Sequence, residues 1–127
     1  MSEDTPRDRT AQAKIEALLE EYKRGAKLSH VGALLESEDI QQQAFAMHKG
    51  ALAKLEALSP LGRNVILPLL SDPDPEIRVI ACAHLVTRHP QLVLPILGEI
   101  IEERWTEAAQ AARNTRMLYE MGLYEGH

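Results

Sequence analysis

The sequence of 127 residues fits one domain that can form a continuous core without disulfides or a structural metal. Because 45% of the residues are hydrophobic but only one Trp, one Phe and three Tyr are present, aliphatic side chains must fill the interior, as in helical bundles and solenoids. The net charge of −5 argues against a nucleic-acid partner, which requires clustered Lys and Arg. A partner protein with a basic surface is the simpler expectation.

The number of cysteines and the hydropathy of the sequence indicate the cellular compartment in which we expect the protein. Cys82 is the single cysteine and has no partner within this sequence for a disulfide. No apolar run approaches the roughly 18 residues of a membrane helix, and the polar N-terminal residues lack the apolar core of a signal peptide. We therefore expect a cytoplasmic protein with no membrane partner, while secretion without a signal peptide stays open.

The first helix is predicted to begin at residues 5–8, where a threonine precedes a proline and an aspartate follows three residues after the cap. Apolar residues then recur at helical spacing, and the helix is predicted to end near Gly25. Residues 1–5 are expected to be disordered. Residues 26–36 are interpreted as a connection, although a short helix there stays open.

Ser37 predicts the start of a second helix, because its hydroxyl can cap a free backbone N–H and the two carboxylates after it suit the positive end of the helix dipole. An apolar stripe extends this helix to Leu58. A Ser-Pro pair then repeats the same start signal. Residues 64–70 are predicted to form a short third helix that Pro68 bends or shortens.

Two acid-proline pairs beginning at Asp72 precede the fourth helix. Asp74 is the predicted N-cap, with a proline at the first helical position, and the helix is expected to run to about Arg88. We interpret Asp72, Asp74 and Arg78 as a structural corner, since the carboxylates can satisfy free backbone N–H groups and the guanidinium can tie the turn.

The fifth helix, predicted at residues 90–103, repeats the proline placement of the third. VILPLL at residues 65–70 matches LVLPIL at residues 92–97, an offset of 27 residues. Such an offset is typical of stacked helical hairpins.

An alanine-rich sixth helix is predicted at residues 105–121, where the small side chains would allow close packing against a neighbour. Gly122 is a plausible stop, and residues 123–127 would form a tail. The sequence thus predicts an all-α domain of five to six helices in antiparallel pairs.

Four features resemble the turn and second helix of a HEAT repeat: the DPDP turn, the Ile77-Arg78 pair, Ala81 and Leu85. In that family a turn Asp and an Arg early in the second helix form a polar ladder between repeats, which would here involve Asp72 or Asp74 and Arg78. The resemblance covers residues 64–103 and implies a short right-handed HEAT-like stack. The whole chain is also similar to short bacterial HEAT-like proteins of unknown function, and some such proteins are immunity proteins that sequester a toxin.

The residue pattern gives little support to catalysis or metal binding. Cys82 is expected in the core, because a catalytic thiolate needs an exposed helix N-terminus or a neighbouring base. His84 and His89 are five apart and do not share a helix face, His30 and His48 are scattered, and no zinc-binding spacing appears. We therefore expect no enzymatic activity, no cofactor and no metal.

An acidic run is formed by Glu99, Glu102, Glu103 and Glu107. The first three share a helical face, and carboxylates crowded at the negative end of a helix must be compensated. This makes the run a candidate partner-binding patch, while a solvated face or a cation site stays open.

Four further residues are candidates for the same surface: Arg113, Arg116, Trp105 and Tyr119. The two arginines have the alternative of pairing with the acidic end of the fifth helix. The two aromatic side chains have the alternative of anchoring the core.

The most concrete hypothesis is a cytoplasmic immunity or inhibitor protein that sequesters a toxin or another basic partner through its acidic surface. The alternative is a homodimer or a scaffold subunit of a complex, since solenoid ends expose apolar helix faces. An enzyme resembling the HEAT-like DNA glycosylases is disfavoured by the negative charge and the scarcity of aromatic residues.

Overall fold

The protein consists of helices and turns throughout the part that its computed structural model describes, residues 6–103 and 107–123. In chain order the helices are α1 (Pro6–Leu34), α2 (Glu38–Leu58), a 3₁₀ helix (Gly62–Ser71), α3 (Pro75–Leu85), α4 (Pro90–Glu102) and α5 (Glu107–Glu120). The predicted all-α fold is confirmed. The right-handed HEAT-like stack stays a prediction. Within these residues no helix is long and apolar enough to cross a membrane.

Helix α1 is longer than the sequence suggested. The predicted end near Gly25 and the connection at residues 26–36 are wrong, because the helix continues to Leu34. A Cβ on Gly25 would lie 2.7 Å from the backbone nitrogen of His48, and one on Gly32 would lie 2.8 Å from Cγ of Gln41. The glycines therefore let α2 approach closely, and this packing outweighs their low helix propensity. The two contacts advance in opposite directions along the helices, so α1 and α2 form an antiparallel hairpin.

The turn between α1 and α2 combines a helix stop with a helix start. Glu36 has a φ of 52°, its N–H donates to the carbonyl of Ala33 (3.2 Å), and the N–H of Ser37 donates to the carbonyl of Gly32 (2.9 Å). This is a Schellman motif with glutamate in the left-handed position that usually holds glycine. The Ser37 hydroxyl then accepts from the N–H of Ile40 (3.2 Å), which confirms the predicted N-cap of α2. The predicted end at Leu58 is also confirmed.

The short third helix predicted at residues 64–70 is present, but with 3₁₀ geometry. Pro68 lies inside it and supplies no N–H to an α-helical ladder. The matching Pro95 lies inside α4, which remains α-helical, so proline alone does not impose the tighter winding. The two segments that match in sequence therefore adopt different helix types.

The corner before α3 is built by its own aspartates. The Asp74 carboxylate accepts from the N–H of Glu76 (2.9 Å), and the N–H of Asp74 donates to the carboxylate of Asp72 (2.9 Å). The predicted N-cap of α3 is thus confirmed. The predicted end near Arg88 is wrong, because the helix ends at Leu85 and turn residues carry the chain to α4.

Helix α5 packs through its small residues and ends at a glycine. Its buried side chains are Ala108, Ala109, Ala112 and Thr115. Gly122 has a φ of 72°, and the N–H groups of Gly122 and Leu123 close a Schellman motif on α5, as the predicted stop requires. The expectations for residues 1–5, for Trp105 and for residues 124–127 fall outside the described residues.

The core surrounds α3, which packs against α1, the 3₁₀ helix, α4 and α5. Its largest fully buried side chains come from every element except α5: Tyr22, Leu52, Leu55, Ile66, Leu85, Leu97 and Ile100. Cys82 is also fully buried, which confirms its predicted place in the core. The central position of α3 gives it access to the two sites described next.

Candidate functional site

The predicted acidic run lies at the surface around the end of α4. Glu99, Glu102, Glu103 and Glu107 are all exposed. The last turn of α4 contains no basic residue, so the first three carboxylates lie near the negative end of its dipole without compensation from their own helix. Among them only Glu103 has an ion-pair partner in the described residues, the guanidinium of Arg78 at 3.3 Å.

The structure adds Glu76, at the start of α3, to this run. Burial raises the pKa of Glu76; His30 opposes the increase, while the carboxylates of Asp74, Glu107 and Glu103 add to it. Negative charge at the start of α3, just after α4 and at the start of α5 therefore lies close together, at Glu76, Glu103 and Glu107. We call Glu76, Glu99, Glu102, Glu103 and Glu107 the acidic surface. The i+3 and i+4 spacing along α4 revealed part of it, but no local spacing marks Glu76.

Basic side chains of α1 face the carboxylates of the corner. Lys23 Nζ lies 3.9 Å from Asp72 Oδ2, and Lys27 Nζ lies 3.9 Å from Asp74 Oδ2. His30 Nδ1 lies 3.2 Å from Glu76 Oε1, within ion-pair distance although the angle does not make a hydrogen bond. Residues at positions i, i+4 and i+7 of α1 thus meet alternate residues of the corner. Such partly exposed pairs contribute little stability individually, but they fix the corner against α1.

Arg78 has a different role from the one that the sequence suggested. Its guanidinium reaches Glu103 at the end of α4, and no ion pair in residues 6–103 and 107–123 joins it to Asp72 or Asp74. The interpretation that Arg78 ties the corner is therefore wrong. The aspartates cap backbone N–H groups and face lysines of α1, whereas the arginine links α3 to α4.

The remaining predicted partner residues do not join the acidic surface as a group. Arg116 pairs with Glu120 on the same helix (3.5 Å), and no carboxylate of α4 pairs with either Arg113 or Arg116 in the described chain. Tyr119 is half-buried and packs against the core. Arg116 and Tyr119 therefore have contacts on α5 and in the core rather than with the acidic surface.

A second cluster lies inside the protein, where α1, α2 and α3 meet. Tyr22 Oη and His84 Nδ1 are 2.6 Å apart and share a hydrogen bond. The ring of His48 lies 5.3 Å from that of His84 and 6.0 Å from that of Tyr22, measured between centroids. All three side chains are buried: Tyr22 is 0% exposed and each histidine is 4% exposed. Histidines that are scattered in the sequence are thus neighbours in the fold.

His48 differs from the other two members of this cluster. Burial lowers the pKa of His48 from 6.5 to about 4, so its imidazole is neutral at pH 7. Its Nδ1 is buried and has no hydrogen-bond partner among the residues that the structure describes. A histidine within the apolar stripe of α2, four residues from both Ala44 and Leu52, was the signal available in the sequence.

A cleft of about 340 Å³ adjoins the two histidines. It is lined by residues of α1, α2 and α3: Ser29, Gln41, Phe45, His48, Ile80, Ala83 and His84. Apolar walls and a few polar groups therefore face the same space, and no Lys, Arg, Asp or Glu from the described part of the chain lines it.

The structure favours neither a thiol nucleophile nor a metal centre in the described residues. Burial raises the pKa of Cys82 to about 12, against a smaller opposing effect of Arg78, so the thiol stays protonated. No group of three or more His, Cys, Asp or Glu residues in residues 6–103 and 107–123 is arranged to hold a metal ion.

Comparison with known proteins finds no matching family model, no similar curated protein and no similar solved structure. The two candidate sites therefore rest on the geometry of this chain. The HEAT-like relationship stays a prediction from the residues around the corner.

Proposed function

We propose that the protein is a non-enzymatic protein-binding module whose acidic surface docks a partner with a basic surface. The proposal is supported chiefly by the carboxylates of Asp74, Glu107 and Glu103, which lie close enough to Glu76 to add to the increase in its pKa that burial causes. Lysine or arginine side chains of a partner would relieve the repulsion among these carboxylates. Glu99 and Glu102 form no ion pair with any described residue and are exposed for such contacts.

Charge affects the rate of association as well as the stability of the complex. With a net charge of −5 and a local concentration of carboxylates, the protein attracts a cationic partner before contact. Rim charges of this kind mainly increase the association rate, and added salt screens them. The most concrete form of the proposal is a cytoplasmic immunity or inhibitor protein that sequesters a toxin.

The test is differential capture by the wild-type protein and a charge-neutralised variant. The variant carries Glu99→Gln, Glu102→Gln, Glu103→Gln and Glu107→Gln. The matched control carries Glu16→Gln, Glu20→Gln, Glu38→Gln and Glu120→Gln, which remove the same charge from exposed positions elsewhere. We expect a basic protein that is retained by the wild type and the control and lost by the variant, with unchanged circular dichroism in all three. Equal capture by the variant and the wild type would contradict the proposal.

A homodimer or a scaffold subunit is a second candidate, favoured by exposed apolar side chains at the end of α5. Met117, Met121 and Leu123 are 52%, 61% and 60% exposed. Apolar residues grouped in this way mark association sites more often than isolated ones do. Light scattering at two concentrations should then show a dimer that Met117→Lys with Met121→Lys dissociates. A monomer at both concentrations would exclude this candidate.

A further inference from the structure

The cleft between α1, α2 and α3 is bordered by a histidine with an unpaired ring nitrogen. His48 is almost fully buried and lines the cleft, and its buried Nδ1 has no hydrogen-bond partner among the described residues. Leaving a buried polar atom unpaired is costly, and native proteins contain few such atoms. A hydrogen-bonding group that reached this nitrogen from the cleft would compensate that cost.

The charge of the lining restricts what the cleft can hold. None of its seven described lining residues carries a formal charge when the histidines are neutral, and burial keeps His48 neutral at pH 7. A charged ligand would lose hydration without gaining a counter-ion from the lining itself. The lining therefore favours an uncharged ligand.

The volume of the cleft and its lining residues restrict the ligand further. A volume of about 340 Å³ is at the small end of the range for ligand sites. Phe45, Ile80 and Ala83 supply apolar wall, while Gln41 and Ser29 supply hydrogen-bonding groups beside the histidines. Phe45 is 48% exposed, and its ring lies edge-on to His48 with a centroid distance of 5.5 Å. Lys49 Nζ lies 5.1 Å from the Phe45 centroid, within cation–π distance of the ring.

We propose that this cleft binds a small, uncharged, planar ring compound that packs against Phe45 and exchanges hydrogen bonds with His48 and Gln41. The Tyr22 hydroxyl contacts His84 rather than the ligand. Its hydrogen bond to Nδ1 fixes the orientation of the His84 ring, which lines the cleft. Tyr22 is thus a positioning residue. The cleft and the acidic surface use different side chains, so each proposal can fail without the other.

Three analogues of one shape provide the probes: benzamide is neutral, benzoate is an anion and benzamidine is a cation. The full-length protein is titrated with each, and the imidazole nitrogen resonances of His48 and the amide resonances of α2 are followed by NMR. We expect benzamide to shift them with a Kd of about 1 mM, as its few heavy atoms allow, and the charged analogues to bind at least tenfold more weakly.

Variants at exposed positions keep the test independent of folding. Phe45→Ala and Gln41→Ala should each weaken benzamide binding at least fivefold, while Gln43→Ala, an exposed position on the same helix outside the cleft, should leave it unchanged. His48→Phe retains a ring and should abolish the interaction. Two outcomes would overturn the proposal. One is no response to benzamide, with or without a histidine response to zinc chloride, and the other is equal binding of all three analogues.

Discussion

Replacing Gly25 by alanine tests the packing that extends α1. An alanine in a helix interior is normally about 1 kcal/mol more favourable than glycine. At Gly25, however, the added Cβ would lie 2.7 Å from the backbone nitrogen of His48 and 2.9 Å from its Cβ, so α1 and α2 must separate. Overpacking of this kind costs about 1–3 kcal/mol, and the upper part of that range, about 2–3 kcal/mol, applies here because a backbone rather than a flexible side chain must move. We expect a net loss of about 1–2 kcal/mol.

The matched control is Gly50→Ala on α2, where no atom lies within 4 Å of the added Cβ. This variant should gain up to about 1 kcal/mol, so the two alanines should differ by about 1–3 kcal/mol. Urea unfolding followed by far-ultraviolet circular dichroism measures both, with equal slopes showing that only stability has changed. A Gly25→Ala protein as stable as the wild type would refute the close approach of α1 and α2.

Four further predictions concern single groups. Cys82 should react with a thiol reagent only at the rate of unfolding, because burial raises its pKa to about 12; rapid labelling of the folded protein would contradict this. His48 should make the protein less stable as the pH falls from about 6.5 to 4, because the unfolded chain binds a proton that the folded chain excludes. The full difference is about 3 kcal/mol, and His48→Phe should flatten the measured curve of unfolding free energy against pH; an unchanged curve would exclude the shift. Tyr22→Phe removes the 2.6 Å hydrogen bond to the buried His84 ring and should cost about 1–2 kcal/mol in urea unfolding, and a loss near zero would show that the bond adds nothing. Glu36→Gly should raise the melting temperature by a few degrees, since glycine adopts a φ of 52° without strain; a lower melting temperature would argue against the Schellman turn.

The starts of α2 and α3 were predictable because their chemistry is local, whereas the Ser-Pro signal at residues 59–60 does not begin the 3₁₀ helix, which starts at Gly62. Ser37 and Asp74 each satisfy a backbone N–H two or three residues ahead, and that relation is visible in the sequence. The end of α1 was not predictable in this way. Gly25 and Gly32 lower helix propensity locally, and only the approach of α2 shows why they are helical.

The distinction between local and long-range contacts also applies to the acidic surface and the cleft. The carboxylates of α4 share a face at spacings of three and four, so part of the acidic surface was predictable. Glu76 joins it through the packing of α3 against α5, and His48 meets His84 across two helices. Contacts between distant segments leave no spacing in the sequence, which is why the cleft was missed.

The proposed function requires carboxylates on the outside of the protein to attract and hold a cationic partner. Its most direct test is the association rate constant between the protein and the captured partner, measured by stopped flow at ionic strengths from about 0.05 to 0.5 M. We expect a steep decrease of this rate constant with salt for the wild type and a slow, nearly salt-independent rate for the variant that lacks the four glutamates. Identical rates and salt dependences for the two proteins would contradict it.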